Sequence, residues 1–154
     1  MRVALFVVLI SVACATPIGA QAGAWEFGLG THVAVREDST VHNGGGLTLA
    51  RQYRRVAPVL EASGTRRHGH NDWRVAGGPR FTLGGSERSD FFVQVLAGAL
   101  IRSAEAGWAV LPGAGLDVGV TDSSAVRLQF DVPVERSEAR TAKSARASIW
   151  LVFR

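Results

Sequence analysis

Apolar and polar residues alternate with period two along most of the chain, the mark of strands whose two faces meet different surroundings. Over residues 24–35, Trp25, Phe27, Leu29, Val33 and Val35 fall on one face, and Glu26, Gly28, Gly30, His32 and Ala34 on the other. Residues 73–83 set Trp73, Val75, Pro79, Phe81 and Leu83 against Arg74, Ala76, Gly78, Arg80 and Thr82. Residues 108–120 oppose Val110, Leu116, Val118 and Val120 to Ala109, Gly113, Gly115, Asp117 and Gly119. In 125–134, Val126, Leu128, Phe130, Val132 and Val134 face away from Arg127, Gln129, Asp131 and Pro133. The last strand, 145–154, separates Ala147, Ile149, Leu151 and Phe153 from Arg146, Ser148, Trp150 and Val152. Three further strands are less regular. Residues 44–53 carry Leu47 and Leu49, with Tyr53 at the end. Residues 56–63 carry Val56, Leu60 and Ala62 against Glu61, with Pro58 unable to donate to a ladder. Residues 91–101 are apolar on both faces, but Phe91-Phe92-Val93 and the central Gly98 select a strand over a helix.

The total is eight, which predicts an all-β, antiparallel up-and-down barrel. Connections alternate in length: long at 36–43, 64–72, 102–107 and 135–144, and mostly shorter at 54–55, 84–90 and 121–124. Short turns at one end and longer loops at the other are the habit of outer-membrane barrels. Strands near ten residues also suit a tilted membrane crossing.

Alternation alone does not say which face points outward. A soluble lipocalin-like carrier of a lipid or small apolar ligand would turn the apolar face inward. The polar face decides. It carries Gly28, Gly30, Gly46, Gly78, Gly98, Gly113, Gly115 and Gly119, together with Glu26, Glu61, Asp117 and Asp131 against Arg74, Arg80, Arg127 and Arg146. Small residues and opposed charges suit the cramped interior of an eight-stranded barrel, whereas glycines on a water-facing side would weaken the strands for no return. Lys143 is the sole lysine, and Trp25, Tyr53, Trp73, Phe91 and Trp108 cluster at strand ends as interfacial girdles do. The expectation is a membrane barrel whose lumen is filled by a structural network of those eight charged residues.

Composition adds compartment. Met1-Arg2, the apolar run to Ala15 and the small-x-small site Ala20-Gln21-Ala22 read as a cleaved secretory signal over 1–22, leaving one barrel domain at 23–154. The apolar run is too short to span a bilayer as a helix. Cys14 is the only cysteine and would leave with the signal, so the mature chain has no thiol chemistry. Ser11-Val12-Ala13 before it makes a poor lipoprotein acylation site. The net charge of +4 falls by one once Arg2 is removed. The arginines are scattered singly or in pairs, so no nucleic-acid partner is expected.

Candidate chemistry is thin. Arg66-Arg67-His68-Gly69-His70-Asn71-Asp72 contains two histidines and an aspartate that could ligate a transition metal, but the segment reads as a solvated loop. His32, with Glu26 and Ser63 on the same face, is the nearest approach to the acid–base and nucleophile set of a lipid A-modifying barrel enzyme. It lacks the spacing such enzymes carry, and a lumen histidine in a hydrogen-bond network is the simpler reading. Gly44-Gly45-Gly46 and Gly77-Gly78 are not phosphate loops, since no helix or lysine follows. No cofactor is expected, and no catalytic residue is assigned.

The stretches Phe91-Phe92-Val93-Gln94-Val95-Leu96-Ala97-Gly98-Ala99, Pro112-Gly113-Ala114-Gly115-Leu116-Asp117-Val118-Gly119-Val120-Thr121-Asp122 and Ala125-Val126-Arg127-Leu128-Gln129-Phe130-Asp131 resemble strands of the OmpA/OmpX-like eight-stranded outer-membrane barrels. The resemblance runs over about 24–154. It implies a monomer surrounded by outer-membrane lipid, with a structural or surface role carried by external loops. It also implies a C-terminal assembly signal, met by Ile149, Leu151 and Phe153, for the barrel-assembly machinery. Here Phe153 is penultimate and Arg154 follows it. No peptidoglycan-binding domain is expected after the last strand.

Overall fold

The computed structural model describes residues 23–67, 70–86, 88–101, 106–137 and 141–154. The proposed signal segment lies outside them. The described residues form one closed antiparallel sheet and no helix. Its segments are β1 (Ala24–Arg36), β2 (Val41–Gln52), β3 (Val56–Arg67), β4 (His70–Ser86), β5 (Ser89–Ile101), β6 (Ala106–Thr121), β7 (Ser124–Asp131), β8 (Val134–Ser137) and β9 (Thr141–Phe153). From β1 to β7 each pairs with its neighbours in chain order, β8 pairs with β6 and β9, and β9 returns to pair with β1 from Phe27↔Phe153 to Arg36↔Ser144.

Segments β7 and β8 are two parts of one stave, because both pair with β6 and with β9. The barrel therefore has eight staves, as alternation predicts. The expected continuous strand over 125–134 is interrupted at Val132-Pro133. Pro133 has no N–H to give the ladder, yet the break leaves the seam closed. The Val132 N–H donates to the Pro112 carbonyl at 2.9 Å, and the Ser144 N–H to the Pro133 carbonyl at 3.1 Å. Pro58, which has no N–H to donate, sits opposite Pro79 in the β3–β4 pairing.

The main departure from the sequence reading concerns the loops. Strands run 12–17 residues in the uninterrupted staves, so they absorb most of the predicted long connections. Within the segment 64–72, residues 64–67 and 70–72 belong to a ladder, paired from Gly64↔Trp73 out to Arg67↔His70. The connection between β1 and β2 contracts to 37–40, and β9 already begins at Thr141. Polar residues beyond the apolar belt still satisfy their N–H and C=O groups by cross-strand pairing, which hydrophobic periodicity alone does not reveal. The opposite end, where Gly23 and Arg154 lie, has tight turns between β2 and β3, β4 and β5, and β6 and β7.

Following cross-strand partners once around shows the stagger. Ala24 leads to Gln52, which faces Ala57 in the register shared by the Ala50↔Val59 pair and the Tyr53↔Val56 bridge, and then through Arg80, Gln94, Gly113, Asp131 and Arg146 to Ala34, ten residues further along β1. Such a stagger tilts the staves to the barrel axis by roughly 35–45° and leaves an interior only wide enough for side chains.

The face assignment is inside-out relative to a soluble protein. Phe27, Leu29, Leu47, Leu49, Phe81, Val95, Leu128, Phe130, Ile149 and Leu151 are all exposed on the outer surface. Glu26, Glu61, Arg80, Arg127, Asp131 and Arg146 are buried within. Trp150 also points inward and lies against Gly30, where any Cβ would run into its indole ring.

Candidate functional site

The lumen holds the charged residues singled out in the sequence, and their spacing on tilted staves sorts them into three clusters. The lowest lies nearest Gly23 and Arg154. Arg80 donates to Glu26 Oε1 at 2.8 Å, and Arg127 Nη2 donates to the same oxygen at 2.8 Å. Arg127 also grips Asp117 with two bonds, Nε to Oδ1 at 2.7 Å and Nη2 to Oδ2 at 2.8 Å. Two guanidinium carbons lie over the Phe92 ring, Arg127 at 5.0 Å and Arg80 at 5.5 Å from its centre. Three arginines meet two carboxylates here once Arg154 is counted. Its guanidinium folds back to Asp117 Oδ2 at 2.6 Å and Glu26 Oε2 at 3.4 Å.

The middle cluster centres on Arg146, which donates to Asp131 Oδ2 from Nε at 3.0 Å and from Nη2 at 2.7 Å. On its other edge it donates to Glu61, Nη1 to Oε1 at 2.5 Å and Nη2 to Oε2 at 3.2 Å. Gln129 adds donors to both oxygens of Asp131, at 3.2 and 3.0 Å. One arginine meets two carboxylates, so this cluster carries one net negative charge where the lower one carries a net positive. The third cluster is a pair nearer the far end, Arg74 with Glu135 at 2.5 Å. Desolvating an ion costs several kcal/mol, so charges in such an interior persist only when each is matched by partners of good geometry. These five arginines and five carboxylates balance.

The lumen is not charged throughout. Ala50, Ala57, Val59, Ala76, Leu96, Ala109 and Leu111 pack together as a buried apolar sector contributed by β2 to β6. The third cluster borders a cavity of about 30 Å³, lined among others by His42, Thr65, Asp72, Arg74 and Glu135. That volume holds a water molecule but no organic ligand.

The catalytic candidates do not assemble. The His32 Nε2 atom is 3.0 Å from Thr65 Oγ1, so the partner of this ring is Thr65 and not Ser63. Glu26 lies six residues down β1, roughly 20 Å at 3.3 Å per strand residue, and is held by arginines. Ser148, the cross-strand neighbour of His32, is buried with its hydroxyl unpartnered. Of the metal candidates, His68 lies outside the described residues. Asp72 lines the lumen cavity, and among the described residues no three His, Cys, Asp or Glu side chains are grouped to hold a metal.

Sequence reasoning left Arg154 and Glu135 out of the lumen network, and it put Gln129 on the inward face without naming it as a partner of Asp131. Glu135 was expected in an external loop, yet β8 carries it inside. Inward parity from Asp131 and Pro133 would have found it. Arg154 has no signal beyond following an outward Phe153.

No family model matches the chain, and no curated protein matches its sequence. Solved structures do. Neisserial surface protein A superposes with a TM-score of 0.76 at 5% identity, covering 87% of this chain and 99% of that one. The N-terminal β-barrel domain of Pseudomonas aeruginosa OprF gives 0.58 at 11% identity, with 86% and 100% covered. Ail, the attachment invasion locus protein of Yersinia pestis, gives 0.53 at 12%, again with 86% and 100% covered. At such identities the likeness speaks for architecture alone. Closed, eight-staved, apolar outside and charged within, this chain has the fold of the small outer-membrane β-barrels.

Proposed function

We propose that the chain is an exported outer-membrane protein, a monomer with both Gly23 and Arg154 on the periplasmic side. Its ion-paired lumen serves as a structural plug, and any contact with other molecules is made at the rims and outer surface. The observation that carries this reading is the inverted polarity of the barrel wall. A soluble monomer rarely exposes an apolar patch beyond about 300–600 Å², whereas here the apolar belt encircles the barrel. A closed sheet satisfies its backbone internally, which is what hydrocarbon demands.

The eight inward charges Glu26, Glu61, Arg74, Arg80, Asp117, Arg127, Asp131 and Arg146 act, on this reading, to fill and rigidify the interior. Ile149, Leu151 and Phe153 line the outer face of β9, where the barrel-assembly machinery would read them. Burial of His32 against Thr65 favours a structural role for that histidine over chemistry on lipid A. The His32→Ala protein is expected to leave the lipid A mass spectrum unchanged.

The deciding experiment is fractionation with sarkosyl followed by gel electrophoresis with and without boiling. The protein is expected in the insoluble outer-membrane fraction, with a mobility that shifts on heating. A folded monomer recovered in plain buffer would overturn the proposal.

A further inference from the structure

The hairpin joining β2 to β3 differs from its neighbours at the same end of the barrel. Its turn is Arg54-Arg55, and Arg51 precedes it by two positions. Tyr53 and Val56 exchange both backbone hydrogen bonds, at 2.8 and 2.9 Å, so only two residues make the reversal. Arg54 takes φ 51°, a left-handed conformation for which glycine or asparagine is the ordinary choice in a two-residue hairpin. A long cationic side chain held in a strained position invites a functional explanation.

Arg51 points to the outer surface, and its guanidinium carbon lies 5.3 Å from the ring centres of both Trp25 and Tyr53. The rings orient the fork, and Arg51 Nε is buried without a hydrogen-bond partner. Among the described residues no carboxylate pairs with Arg51, Arg54 or Arg55. The other two turns at this end carry Asp90 and Asp122 beside Arg88. Positive charge is thus concentrated on one hairpin, where the apolar belt of Leu49, Leu60 and Trp25 stops.

We infer that this hairpin binds the headgroup of an anionic phospholipid such as phosphatidylglycerol. Arg51 meets the phosphodiester with its planar fork, Arg54 and Arg55 supply the surrounding field, and the acyl chains lie on the apolar belt below. Guanidinium matches phosphate geometry and stacks on aromatic faces, which an ammonium does less well. The site adjoins an apolar belt and an interfacial tryptophan, and that favours a lipid over a soluble acidic partner. The inference rests on the membrane reading above and adds a lipid class to it.

Native mass spectrometry of the full chain refolded in detergent tests this, with phosphatidylglycerol or phosphatidylcholine of the same acyl chains added. Phosphatidylglycerol adducts are expected at about tenfold lower lipid concentration than phosphatidylcholine adducts. The triple variant Arg51→Gln, Arg54→Gln, Arg55→Gln is expected to lose that preference. Arg66→Gln, exposed at the far rim, is expected to keep it, and Arg51→Lys to keep part of it. Equal retention of the two lipids, or a preference that survives in the triple variant, would overturn the assignment. So would inorganic phosphate that removes the adducts at millimolar concentration, since the ligand would then be phosphate itself. Heat-shifted mobility is recorded on the same samples. A protein that never shifts defeats the membrane reading, whereas one that shifts without headgroup preference defeats only the lipid site.

Discussion

The lower lumen and the upper lumen are built from the same residue types but are satisfied to different degrees. Around Glu26, Asp117 and Arg127, each carboxylate meets two or more guanidinium donors. Around Arg74 the picture changes. Its Nε and Nη1 atoms, His32 Nδ1 and Ser137 Oγ are buried without hydrogen-bond partners, while lower down in the lumen only the neutral Ser148 Oγ, opposite Gln129, and Trp150 Nε1, opposite Arg127, share that lack among the described residues. An unmatched buried polar group costs about 1–3 kcal/mol, and the guanidinium among these groups is that of Arg74, so the arginines of the lower two clusters are the better matched. The upper lumen, close to the far mouth, is the part that water can relieve. Charge counting along the sequence would not separate the two.

The contrast can be broken most sharply at its strongest point. Arg146→Met removes the cation that bridges Glu61 and Asp131 and leaves two buried carboxylates without it. A loss of roughly 3–5 kcal/mol is expected, read as a fall in the urea unfolding midpoint of protein refolded into vesicles. In the upper lumen, Arg74→Met removes one partner of Glu135, which has a further interaction of its own and borders the small cavity. A smaller loss, about 1–3 kcal/mol, is expected in the same assay. A larger loss at Arg74 than at Arg146 would invert the comparison. The smallest effect belongs to Arg154→Ala, because that side chain is 38% exposed and Arg80 and Arg127 still cover both carboxylates. Less than about 1 kcal/mol should be lost. An Arg154→Ala midpoint that falls as far as that of Arg146→Met would show that the terminal residue locks the lower cluster.

Much of the wall was legible in the sequence because period two is a local property. Trp25 to Val35 states its own faces, and so does Ala145 to Phe153. The inward signs of Glu61 and Arg146 were readable as well, but their pairing was not. They lie 85 positions apart, and only the ten-residue stagger brings them together. Strand ends were the least legible. Thr65, Arg66, Asn71 and Asp72 look like loop residues by composition, and their pairing follows from having a partner strand alongside, which no local pattern records. Pro133 was placed inward correctly, but the interruption that it causes depends on the carbonyl of Pro112 being within reach. Arg154 illustrates the remaining limit. The sequence marks it only as a departure from an aromatic ending, and its contacts exist because closure brings residue 154 back to residue 26.

That seam between the first and last staves has a kinetic meaning. Every other hairpin can zip from its own turn, but β1 must wait for β9, whose residues emerge more than a hundred positions later. Until they arrive, two rows of amides and carbonyls lack their cross-strand partners. Assembly is therefore an all-or-nothing step that follows synthesis, slowed by the long search that such distant partners require.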